Sequence, residues 1–276
     1  AAWLDGAELS GAPTQPAPPA TEALAARGAE VYASRCAGCH GARGDGKGPH
    51  APSLGVAPRD FTTGVYLLRS TATRSLPTDD DLFRTISRGV HGTSMIPWVA
   101  LPEPDRWALV AHLKTLSLDF AEDEAPAPEP VPDPPAVTPE LLAAGRALFE
   151  KSACVGCHGP EGHGDGAAAA ELRDASGHPI TPRDFTGTRF RRGGDVRAIY
   201  LTLRTGLDGT PMGSYAKLLT PADTWAIAAY VESLGPRAHV PAPGGTLCPA
   251  TASTDPEEQL GARLAAANPG ADGQGP

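Results

Sequence analysis

Methionine is nearly absent from this 276-residue chain, with two residues in all. No apolar run approaches the ~20 residues of a membrane-spanning helix, and no charged segment followed by an apolar stretch opens the chain. The expectation is a soluble, processed or trimmed form, with a membrane tether still compatible. Basic charge is scarce too: 23 Lys and Arg against 32 Asp and Glu leave a net charge of −9. That excludes a nucleic-acid binder with a basic face and permits docking to basic partners. Cysteine is sparse, and four of the five lie inside two short motifs. The fifth, Cys248, stands alone; an incidental cysteine is the plain reading, with a free thiol or an intermolecular bridge as alternatives. What is plentiful is proline (30) and glycine (32), which points to much irregular backbone in a chain long enough for two domains.

The four clustered cysteines occur as Cys36-Ala37-Gly38-Cys39-His40 and Cys154-Val155-Gly156-Cys157-His158. Two thiols three positions apart can each add to a vinyl group of a haem, and the next residue then offers its imidazole to the iron. A disulfide framework leaves both histidines unexplained. A zinc site built from two CxxC pairs would not head two copies of one domain. The expected cofactors are therefore two covalently attached haem c groups, with Cys36, Cys39, Cys154 and Cys157 as attachment points and His40 and His158 on iron. The glycines between Gly41 and Gly48 could suggest a phosphate loop, but the GK[ST] ending and a preceding strand are missing.

Residues 1–20, rich in Ala and Pro, read as a tail. Thr21 caps a helix over Glu22 to Arg35, which delivers the chain to Cys36; further helices are expected from Asp79 to Arg88 and from Asp105 to Leu116. An acidic, proline-rich linker over 119–137 reads as an extended spacer that separates two domains without fixing their distance. The second domain, 138–236, repeats the first, 21–118. Cys36 to Cys154 and Trp107 to Trp225 are each 118 apart, Asp60 to Asp184 is 124 and Met95 to Met212 is 117. One insertion before the second Pro-Arg-Asp-Phe-Thr segment, compensated before the methionine, accounts for the slip. Residues 237–276 read as a second tail with a short helix near 256–267.

The two methionines occupy equivalent loops, Gly92-Thr93-Ser94-Met95 and Gly209-Thr210-Pro211-Met212, 55 and 54 residues after their histidines. Core filling explains such polar loops poorly, so Met95 and Met212 are expected as the second iron ligands. A thioether favours ferrous iron, so both sites should be high-potential and six-coordinate. His91 is the strongest rival ligand, but its counterpart is Asp208; His50, His112, His163, His178 and His239 are not assigned to iron. Pro58 and Pro182 are expected to accept the other ring N–H of each histidine through their carbonyls. Arg59 and Arg183 suit haem propionates or, alternatively, an ion pair with the neighbouring Asp. Trp98 and Tyr215, each three residues after its methionine, are expected at the haem edge or in plain core packing.

Each half resembles a class I cytochrome c domain. One helix carries Gly28 and Tyr32, or Gly145 and Phe149, and crosses another carrying Trp107 and His112, or Trp225 and Tyr230, with CxxCH and a distal Met between them. The pair is similar to dihaem bacterial cytochromes c of the cytochrome c4 type. The resemblance implies an all-α protein of two tandem domains with long irregular loops. It implies a non-enzymatic electron carrier in the periplasm or another extracytoplasmic compartment. Its donor would be a quinol-oxidising complex or a dehydrogenase, and its acceptor an oxidase or reductase. The alternatives are a dihaem peroxidase and a haem subunit of a membrane respiratory complex.

Overall fold

A computed structural model describes residues 11–187 and 190–235. His239, Cys248, the expected helix near 256–267 and the first ten residues lie outside the described residues. The described part is all-α. In the first copy α1 spans Glu22–Arg35, α2 Ala37–His40, α3 Asp79–Arg88 and α4 Glu103–Lys114; α5, Asp119–Glu122, begins the connection. In the second copy α6 spans Pro139–Lys151, α7 Val155–His158, α8 Val196–Thr205 and α9 Pro221–Leu234. Among the described residues there is no strand, only an isolated antiparallel bridge between Arg173 and Pro179.

Local chemistry sets the helix starts. Thr21 and Thr138 accept backbone N–H groups of Leu24 and Leu141, and Thr78 with Asp81 and Thr220 with Asp223 form reciprocal capping boxes. Helix α4 begins two residues earlier than the sequence predicts. Pro104 lies in its first turn, where its missing N–H has no partner to lose.

In each copy the first helix crosses the last at a glycine. A Cβ on Gly28 would run into the carbonyl oxygen of Ala108, and one on Gly145 into that of Ala226. Only a residue without a side chain allows backbones this close. Above the crossing, Tyr32 packs on His112 at 5.0 Å between ring centres, and Phe149 on Tyr230 at 5.5 Å. Each copy buries its own core around an aromatic pair, Phe83 with Trp107 at 4.3 Å and Tyr200 with Trp225 at 4.0 Å. Such pairs add about 0.5–1.5 kcal/mol beyond the area they bury.

The copies meet in a polar seam. Arg69 is fully buried; its guanidinium donates to the carbonyls of Thr205 at 2.8 Å and Ala72 at 3.1 Å and pairs with Asp208 at 2.9 Å. Asp208 also accepts from the Thr73 hydroxyl at 2.8 Å and the Arg74 N–H at 2.7 Å. Arg192 donates to the Arg69 carbonyl at 2.7 Å, and Arg88 to the Arg192 carbonyl at 2.6 Å. A buried cation needs this full set of partners, because desolvation alone would make its burial unfavourable.

The linker departs from the expected spacer. The Glu129 N–H donates to the Ser70 carbonyl of the first copy at 2.8 Å, while its carboxylate meets Arg204 of the second at 3.5 Å. Asp133 pairs with Arg197 at 2.7 Å, and Val131 packs on the second core. Acidic residues that suggest a solvated tether instead pair with the second copy, while a backbone N–H joins the segment to the first. The end of the first tail is pinned as well, since Thr14 and Gln15 donate backbone N–H groups to the Glu103 carboxylate at 3.0 and 3.1 Å.

Candidate functional site: two matched cavities

Each CxxCH motif is a short helical turn, α2 or α7, and each opens onto its own cavity. The two cavities are nearly equal in volume, about 210 and 220 Å³, and both open to solvent. Cys36, Cys39, His40, Met95, Arg59, Pro58 and Trp98 line the first; Cys154, Cys157, His158, Met212, Arg183, Pro182 and Tyr215 line the second. All the residues singled out from sequence are thus gathered, seven to a cavity. None of the other described histidines lines either one.

The histidines are oriented alike. The Nδ1 of His40 lies 3.1 Å from the Arg59 carbonyl, and that of His158 lies 3.1 Å from the Arg183 carbonyl. This corrects the expectation for Pro58 and Pro182: the acceptor is one residue later in both copies. The carbonyls of Pro58 and Pro182 instead face Gly46 and Gly164 in the loop after each motif, where a Cβ would crowd them. With Nδ1 donating to a carbonyl, Nε2 is the nitrogen left for a metal. The rings stack on Phe61 at 4.5 Å and Phe185 at 4.3 Å. Burial holds both imidazoles below the usual histidine range, partly offset by those carbonyls, which favours the neutral ring a metal needs.

The methionine loops are built by one repeated device. Gly89 and Gly206, at φ +66° and +68°, end α3 and α8 in a conformation that side chains rarely adopt. The Thr93 hydroxyl donates to the Val90 carbonyl at 2.7 Å and accepts the Met95 N–H at 3.1 Å; Thr210 does the same with Leu207 at 2.7 Å and Met212 at 3.2 Å. Trp98 and Tyr215 then donate backbone N–H groups back to Ile86 at 3.1 Å and Leu203 at 2.8 Å. The Gly-Thr-x-Met pattern therefore marks a hydrogen-bonded turn that presents the thioether. Its threonine role was legible only as a repeated residue.

None of the four motif cysteines forms a disulfide, and before any attachment burial together with Cys39 pushes the Cys36 thiol up to about 11. Among the described residues no three His, Cys, Asp or Glu side chains converge on a metal position, so the sulfurs of the two motifs do not share a site. Arg59 forms no ion pair with Asp60. That carboxylate accepts from the backbone and hydroxyl of Thr62 at 2.9 and 2.6 Å. The Arg59 guanidinium is desolvated, which pushes its pKa down. The buried hydroxyl of Tyr66, in the first cavity wall, has no hydrogen-bond partner. A large, flat, mostly apolar group with acidic substituents fits these walls, because it would give both the orphan hydroxyl and the half-buried arginine a partner.

The arginines also cross the seam. A guanidinium nitrogen of Arg183 lies 3.1 Å from where a Cβ on Gly92 would sit, and one of Arg59 lies 3.5 Å from that of Gly209. Each copy's arginine thus reaches the methionine loop of the other.

Two tandem cytochrome c domains are what this helical pairing and these duplicated cavities define. The family model described as cytochrome c matches residues 142–235, and that described as cytochrome C oxidase, cbb3-type, subunit III matches residues 23–113. The chain is also similar to a solved chain of the reducing HAO-like protein complex of Kuenenia stuttgartiensis, with 42% identity, a TM-score of 0.75, and coverage of 82% of this chain and 99% of that one. The chain therefore belongs to the cytochrome c family, as a dihaem member. A search of curated proteins found no match.

Proposed function

We propose that the chain relays single electrons between redox proteins and is not itself an enzyme. Cys36 with Cys39, and Cys154 with Cys157, would attach one haem each; His40 with Met95, and His158 with Met212, would hold its iron. A c-type haem supplies one-electron chemistry at its iron when bound. The chain's part would be to supply these histidine and methionine ligands, hold each imidazole through the Arg59 or Arg183 carbonyl, and wall the group in apolar side chains.

The observation that carries this reading is the equivalence of the two methionine loops, down to the threonine hydrogen bonds. A peroxidase requires one iron with an open position and an acid or base beside it. Here both cavities present a thioether held in the same way. We read the chain further as extracytoplasmic and as one component of a larger redox assembly; the second part is supported by its similarity to a chain of a solved protein complex. No helix among the described residues is long and apolar enough to cross a membrane. Intact-mass measurement and ferric spectra test the relay. Two haems, both low-spin and unreactive with peroxide, support it; one high-spin, peroxide-reactive haem contradicts it. Co-purification from native membranes, with and without detergent, tests the assembly.

A further inference from the structure

We propose that Arg191 is a positioning residue shared by the two cavities, holding an acidic substituent of the haem in each and so setting both reduction potentials together. This rests on the haem reading above. Among the described residues Arg191 is the one side chain that lines both cavities.

Its surroundings are cationic. The charged groups that act on Arg191 are Arg59 and Arg183, and both oppose its charge, as does burial. No ion pair joins Arg191 to a carboxylate among the described residues, whereas Arg69, buried in the same seam, has Asp208 at 2.9 Å. Arg191, half-buried and opposed by like charge, meets no carboxylate of the described residues, so a carboxylate seated in either cavity would relieve it. A haem carries two propionates, and their carboxylate geometry matches the planar arginine fork.

The position is asymmetric in the chain yet central in the fold. The 124-residue offset that relates Phe61 to Phe185 and Tyr66 to Phe190 places Leu67 opposite Arg191, so only the second copy supplies this cation. Arg59 and Arg183 each reach across the seam, which puts all three where the copies meet. A fixed positive charge beside a haem stabilises the form with the added electron and raises its potential; one charge beside two haems raises both.

Spectroelectrochemical titration of the intact dihaem protein tests this, comparing wild type with Arg191→Gln, Arg191→Leu and Arg191→Lys. With glutamine or leucine both midpoints should fall, each by about tenfold in the reduction equilibrium, or 59 mV for one electron. Lysine should restore part of both shifts, which a purely structural role would not do. Movement of one midpoint alone, no movement of either, or equal shifts in all three variants would overturn the proposal. A wild type lacking two haems or low-spin spectra would instead contradict the relay reading, so the two failures are distinguishable.

Discussion

The two cavities are alike in the residues that would touch iron and different elsewhere along their walls. Cys, Cys, His and Met recur with the same turn hydrogen bonds, yet Tyr66 stands opposite Phe190, Trp98 opposite Tyr215, and Leu67 opposite Arg191. His91, exposed in the first copy, corresponds to Asp208, the carboxylate that holds Arg69 across the seam. Duplication kept the ligand set and let the rims diverge. The difference teaches that the two sites, alike in their candidate ligands, sit in unequal surroundings, which can set their potentials apart.

The comparison is broken most severely by removing a thioether. Met95→Ala and Met212→Ala should each abolish low-spin character in their own copy and lower that midpoint by about a hundredfold in the reduction equilibrium, roughly 120 mV for one electron, with the other copy unmoved. Titration of each variant beside wild type reads this directly. Asp208→Ala should come next, because it leaves Arg69 buried without its carboxylate. A cost of about 3–5 kcal/mol is expected, seen as early thermal unfolding and as protease cleavage in the linker.

Gly28→Ala and Gly145→Ala should cost about 1–3 kcal/mol each, since the neighbouring carbonyl is backbone and cannot move aside. Each should loosen haem retention in its own copy only, which denaturation followed at the Soret band can resolve. Smaller still is Tyr66→Phe, which copies the second cavity onto the first. It should shift the first midpoint slightly, leave the second in place, and narrow the gap between them.

Much of this could be read from residue order because it repeats. Helix α1, the glycine crossings, the CxxCH turns and the methionine loops all carry local signals, either a cap, a periodic apolar face or a matched copy 117 to 124 residues away. The histidine N–H finds its acceptor one residue after the proline, at Arg59 and Arg183, and residue type hides this because proline marks the loop while a carbonyl leaves no trace. The seam was illegible for a different reason. Arg69 meets Thr205 across 136 residues, and no periodicity reports a contact of that separation. An acidic, proline-rich linker likewise has the composition of a free tether until Arg197 and Arg204 are seen to bind it.

The central claim is that both copies carry a six-coordinate His/Met iron and that neither is open to substrate. The ferric near-infrared spectrum of the intact dihaem protein, with Met95→Ala and Met212→Ala as single-site references, tests it most directly. The account predicts a methionine-to-iron charge-transfer band of two-haem intensity, half of which disappears in each variant. A wild-type band of one-haem intensity alongside a high-spin signal would contradict it and restore the peroxidase reading.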